Sequence, residues 1–194
     1  TINLENVMVG VATLYIAPFG EATAGEPEPL PADSVMLGTA WGGNWVAIGA
    51  TQEGVKYSKN PKTVDINIEE QSTPADVVID TQDISVMTTL SEDTIANMQI
   101  AYGGGIIVTQ APTGSLVGKT TLSLSDTLEL LTVGFEAENA EGFYRRAYFP
   151  KVVAAGQVDT SYRRAAAQRL YPVTLRAICP VSQIQVYDMT AVVT

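Results

Sequence analysis

The sequence predicts a mainly β protein: two packed antiparallel sheets, a β-sandwich or open barrel, with one short flanking α-helix. Three observations carry this. Apolar and polar residues alternate with period two along most of the chain, as where Val64, Ile66 and Ile68 interleave with Asp65, Asn67 and Glu69. Turn-forming clusters separate the alternating runs, among them Gln71-Ser72-Thr73-Pro74-Ala75 and Asn139-Ala140-Glu141-Gly142. One stretch, residues 91–102, changes to helical spacing. The 194 residues suit one domain over 1–194. A chain of this size can bury about 70% of its unfolded surface without disulfides or metals.

Residues 7–17 read as a first strand, with Val7, Val9, Val11, Thr13 and Tyr15 on one side and Met8, Ala12, Leu14 and Ile16 on the other. Both sides are mostly apolar, so both are expected to be covered. Residues 21–33 form a Pro/Glu-rich loop or arm, set within about 20–40, longer than any tight turn needs. Trp45-Val46-Ala47-Ile48 is a short strand, and residues 54–57 open the next. Asn60-Pro61 is expected to turn the chain before Lys62. From Lys62 a strand with one wet face runs to the loop at 71–75, where Pro74 cannot donate to a ladder. The return strand, 77–89, puts Ile84, Val86 and Thr88 on one face and Asp83, Ser85 and Met87 on the other. Residues 62–89 thus read as a hairpin.

Ser91 is the expected N-cap of the helix, with Glu92 and Asp93 in its first turn where the dipole favours negative charge. Ile95, Met98 and Tyr102 make its apolar stripe, and Gly103-Gly104-Gly105 ends it. A helix so short needs a sheet to hold it.

Strands follow at 106–110 and from Thr120, where Thr120, Leu122 and Leu124 face one way, with a loop at 111–118 between them. The longest clean strand is expected at 128–138, with Leu131, Val133 and Phe135 on its apolar face, turning at 139–142 into 143–149 and on past Pro150. Residues 158–169 fit two strands joined near Ala166, or a helix. Residues 171–179 are a strand, and 183–193 a last strand or C-terminal arm, set within about 181–194.

The formal net charge is −10, which argues against nucleic acid as a bound ligand; it is the balance that keeps a surface soluble, and it also fits a surface that nucleic acid passes without sticking. No run approaches the ~20 apolar residues of a membrane helix, and residues 4–9 are too short and lack the basic flank of a signal peptide. There is no His, hence no Ser-His-Asp triad and no His metal ligand, and one Cys, Cys179, expected to be a small buried hydrophobe. Gly114-Ser115-Leu116-Val117-Gly118-Lys119-Thr120 falls short of a phosphate loop, because Thr113 stands where the first Gly belongs and an alternating strand follows. Glu69, Glu70, Asp76, Asp80 and Asp83 are a dense acidic run whose spacing matches no metal loop. The basic pairs Arg145-Arg146 and Arg163-Arg164 cannot form forks on a strand, and are expected to meet carboxylates within the chain or across a subunit contact. Trp41, Trp45 and Tyr102 read as core or interface anchors. No catalytic set is recognisable, so the chain reads as a non-enzyme with no cofactor and no metal.

One stretch carries a family resemblance. Gly49-Ala50-Thr51-Gln52-Glu53-Gly54-Val55 resembles the G-x-T-x-E-G-V run of the major tail tube proteins of long non-contractile-tailed bacteriophages, especially those of actinobacteria. An alternating strand, a loop, a strand ending in Leu90-Ser91-Glu92 and a short helix follow in the family's order. Val11-Ala12-Thr13-Leu14-Tyr15-Ile16-Ala17-Pro18 is similar to the family's first strand, and Tyr171-Pro172-Val173-Thr174-Leu175-Arg176-Ala177 to its closing one. The likeness covers most of residues 7–180; Cys179-Pro180, where the family pattern has acids, departs from it.

The resemblance implies a structural virion protein, made in the host cytoplasm, that self-assembles as hexameric rings stacked into a tail tube for genome delivery. It implies contacts with copies of itself and with the tape measure, tail terminator and distal tail proteins, while DNA passes unbound. The hairpin is then expected to join the ring's inner sheet, with some of Asp65, Asn67, Glu69 and Asp83 facing the lumen. The loop Gln71, Ser72, Thr73, Pro74 and Ala75, and the Pro/Glu arm, are expected to reach neighbouring rings. The alternative is a β-sandwich receptor- or carbohydrate-binding module, which predicts an exposed aromatic patch.

Overall fold

The computed structural model describes residues 12–33, 35, 37–66, 73–138, 144–159, 170–179 and 182–187. They are mainly β, as the alternation predicts, with one helix. In chain order the elements are β1 (Ala12–Pro18), β2 (Val46–Ile48), β3 (Thr51–Ile66), β4 (Asp76–Leu90), α1 (Ile95–Ala101), β5 (Ile106–Gln110), β6 (Lys119–Ser123), β7 (Leu130–Glu138), β8 (Tyr144–Ala154), β9 (Tyr171–Ala177) and β10 (Gln183–Val186). All ladders are antiparallel. The large sheet runs β2-β1-β7-β8-β9-β4-β3, and β10 also pairs with β8. β8 serves both by length: Arg145–Tyr148 face β10, while Val152–Ala154 face β9. A second, small sheet is the β5–β6 ribbon.

The two edges of the large sheet, β2 and β3, are consecutive in the chain, joined only by Gly49 and Ala50. Edges tied so closely oblige the sheet to coil, and it forms an open barrel around one core. Leu14, Val86, Leu90, Val133, Phe149 and Leu175 fill that core, with Met98 and Ile100 of α1 packed against it. The expected apolar faces are met: Ile84, Val86 and Thr88 are buried, as are Leu131 and Val133, with Phe135 beside them.

β1 is buried on both sides, as its two apolar faces predict. Leu14 and Ile16 enter the barrel core, while Tyr15 and Ala17 enter a second cluster with Trp41, Trp45 and Tyr148. Tyr15 and Trp41 stack at 4.4 Å, and Trp45 meets Trp41 edge-on at 5.0 Å. This cluster is roofed by the arm, which folds back over its own sheet. Glu28, 4% exposed, fastens it. Its N–H donates to Thr132 Oγ1 at 3.2 Å, its carbonyl accepts from Tyr148 Oη at 2.8 Å, and its carboxylate accepts from Asn44 N and Nδ2 at 3.1 Å each. Gly43, at φ +72°, makes the close return possible; a Cβ there would meet Glu28 Oε1 at 2.5 Å.

Several expectations are corrected. Pro61 does not turn the chain: β3 passes straight through it, opposite Gln82. β3 is an edge strand, and an edge tolerates a missing N–H. The helix N-cap is Thr94, whose Oγ1 accepts from Asn97 N at 3.1 Å, not Ser91. The buried positions of α1 are Asn97 and Ala101 rather than an Ile95–Tyr102 stripe, and Tyr102 is exposed. A buried Asn holds because its Nδ2 donates to the Glu92 carbonyl at 3.0 Å. Leu124 and Thr120 are exposed, leaving Leu122 the half-buried residue of that face. β3, not β7, is the longest strand. Cys179 is half-buried. The ambiguous segment 160–169, with Arg163-Arg164, and the turn at 139–142 lie outside the described residues, as do the chain ends at 1–11 and 188–194.

Candidate assembly surface

The β3–β4 hairpin pairs without interruption of its ladder from Thr51↔Leu90 to Ile66↔Asp76, apart from two irregularities. Near its base Gly54, at φ +73°, bulges β3, and Thr88 Oγ1 donates to the Gly54 carbonyl at 2.8 Å. Further out, β4 carries one extra residue, Asp80, between the pairs Lys62↔Thr81 and Thr63↔Ile79. Two halves result. In the inner half Tyr57, Ile84 and Val86 face the barrel core. In the outer half every residue of 61–66 and 73–81 is exposed. At about 3.3 Å per residue, 61–66 carry the hairpin about 20 Å beyond the core.

The outer half is not wholly polar. Val64, Ile66, Val77, Val78 and Ile79 are all about half exposed. The sequence predicts one wet and one buried face here; the structure leaves both in solvent. Val64 stands opposite Val78 on one face, while Ile79 opposite Thr63 and Val77 opposite Asp65 lie on the other. β-branched residues keep such strands extended, but leaving their apolar area in water forgoes about 25 cal/mol per Å². Among the described residues β4 is the ladder partner of β3, so the outer edge of β3 is open. A long, apolar, open edge is a template for pairing.

The register also sorts the expected site residues. Asp65 shares the face of Tyr57 and Thr63, whereas Asp83, opposite Asn60, lies on the other face. The two cannot line one surface together. Asp65 is exposed. Asp83 accepts from Arg176 Nη2 at 2.6 Å and lies 3.9 Å from Lys62 Nζ. Asn67 and Glu69 lie outside the described residues, as do Gln71 and Ser72 of the expected assembly loop. Thr73, Pro74 and Ala75 are exposed at the hairpin's far end, where Ala75 N donates to the Ile66 carbonyl at 2.8 Å.

Arg146 of the expected basic pair meets a carboxylate as anticipated, but as a polar anchor buried beneath the arm, which the arm's composition did not signal. Arg146, fully buried, donates through Nε to Glu136 Oε2 at 2.6 Å, and through its other nitrogens to Tyr187 Oη and the Val35 carbonyl at 3.2 Å each. Glu136 Oε1 accepts from Gly38 N at 2.6 Å. The Arg145-Arg146 pair was the available signal, and Arg146 does meet a carboxylate of its own chain. Burial raises the phenol of Tyr148 to about 12, with Cys179 and Glu28 adding to the effect. Burial also raises Tyr15, reinforced by Glu136 and opposed by Arg146, and raises Tyr187.

A concavity of about 340 Å³ lies between α1 and the β1–β2 end of the sheet. Ile16, Ile48, Leu131, Ala96 and Ile100 line it, with Glu92 and Glu129. Glu92 Oε1 accepts from Ala50 N at 2.9 Å, a structural contact. Among the described residues no three His, Cys, Asp or Glu converge as a metal site, and no helix is long and apolar enough to cross a membrane. No protein-family model and no curated protein matches the chain.

Proposed function

We propose that this chain is a tail tube subunit of a long non-contractile-tailed bacteriophage, working by self-assembly into stacked, hexameric rings. The observation that carries the reading is the outer half of the β3–β4 hairpin: about 20 Å of paired strand, with exposed apolar side chains on both faces and open along β3. In a lone chain that surface is a liability; between copies it becomes a sheet joint. The run Gly49–Val55 that carries the family resemblance forms the start of this hairpin. The acidic balance of the chain supports a conduit that DNA traverses without binding. Tape measure, terminator and distal tail proteins are the further partners this reading requires.

A β-sandwich binding module receives less support. Its exposed aromatic patch finds no counterpart in Tyr15, Trp41, Trp45 and Tyr148, which are buried under the arm. Negative-stain electron microscopy of the concentrated chain tests the proposal. Tubes or stacked rings are expected; a discrete particle at every concentration contradicts it.

A further inference from the structure

The hairpin is polarised in charge along its length. Lys56 and Lys59 occupy its inner part on β3 and Lys62 stands where the outer half begins, with Arg176 of β9, opposite Ser85, bonded to β4's Asp83. Asp65, Asp76 and Asp80 occupy its outer part. In a chain of net charge −10, three lysines on one edge strand are a local inversion of sign. One carboxylate, Asp83, is shared by Lys62 and Arg176. Lys56 and Lys59 are exposed and have no ion-pair partner among the described residues, and the same holds for Asp65, Asp76 and Asp80. Lys59 and Asp65 are six positions apart on one extended strand, about 20 Å, too far to meet within one hairpin.

We propose that the hairpin docks head to tail: the acidic outer half of one copy lies along the lysine-bearing inner edge of β3 in the next. The partner is a second copy of this chain, chosen by charge complementarity along the open edge. The same edge supplies the main-chain groups for pairing, and Val64 and Val78 supply apolar area at the joint. Such a contact is heterologous, so it builds a ring or a filament instead of a two-fold dimer, and it gives the assembly a direction. This inference rests on the self-assembly proposed above and specifies its contact.

The test is a charge swap on the full chain. One variant carries Lys56→Glu and Lys59→Glu; another carries Asp65→Lys and Asp80→Lys. Circular dichroism and thermal melts establish that each folds, as substitution at exposed positions predicts. Each alone is expected to need about tenfold or more higher concentration to assemble, read by sedimentation, because like charges now meet. Mixing the two restores assembly, since the basic tip of one meets the acidic base of the other. The chain carrying all four substitutions also assembles alone. Reversal variants that assemble like the parent, or swaps that fold yet fail to restore assembly, overturn the docking while leaving self-assembly standing. A parent chain that never polymerises removes the underlying reading as well.

Discussion

Arg146 lies against Glu136 with a 2.6 Å Nε to Oε2 contact, both side chains out of water, directly beneath the residues that strap the aromatic cluster. The guanidinium also lies 5.6 Å from the Trp41 ring and 5.2 Å from that of Tyr187. Removing one partner strands a buried charge. Arg146→Met is therefore expected to cost about 3–5 kcal/mol in urea unfolding, while Arg146→Met combined with Glu136→Leu costs less than the sum of the two single changes. Strict additivity contradicts the pairing.

Alkaline pH should loosen the same region. Tyr148 is raised to about 12 in the folded chain, against an ordinary 10. Above pH 10 the unfolded state loses the phenol proton first, so it binds fewer protons than the native state, and stability falls as pH climbs from about 10 towards 12. Tyr15 and Tyr187 are raised too and act in the same direction. Melting temperatures measured from pH 8 to 11.5 should fall at the upper end. Tyr148→Phe should lower the melting temperature at pH 8, through loss of the Glu28 hydrogen bond, yet flatten part of the alkaline decline.

Gly134 on β7 is held small by Trp41. A Cβ at 134 would meet the indole at 2.5 Å and the Ala147 carbonyl at 3.2 Å. Gly134→Ala is expected to destabilise by about 1–3 kcal/mol and to change tryptophan fluorescence, since the ring must shift. An unchanged spectrum and midpoint would show that the strap is looser than described.

The β-rich class, the places of most strands, the one helix between β4 and β5 and the two-sided burial of β1 were legible because they follow from period and turn chemistry, which are local. What was hidden is relational. Pro61 reads as a turn until β3 is known to be an edge, and Asp65 and Asp83 read as one acidic face until the register sets them apart. Glu28 lies in a segment whose composition suggests an arm; only Thr132 and Tyr148, more than a hundred residues away, show that it is a fastened strap. The alternation at 64–66 promised a buried face, and none of this chain's described residues covers it; the apolar run 77–79 beside it is exposed as well. That mismatch is the observation on which the proposed self-assembly rests.

Val78→Asp separates folding from assembly. Val78 is half exposed, so the unfolding midpoint should move by no more than about 0.5 kcal/mol. Sedimentation should nevertheless show loss of the polymer, and deletion of residues 71–75 should act alike. A stability loss of several kcal/mol would mean that the tip is packed within its own chain.

Backbone amide hydrogen exchange, compared between dilute chain and pelleted assembly, reads the open edge directly. Fast exchange is expected at the outward amides of 51–66 in the dilute chain and strong protection there in the assembly, with the β1–β7 ladder protected in both. An edge that exchanges at the same rate in both states would contradict completion of this sheet by another copy.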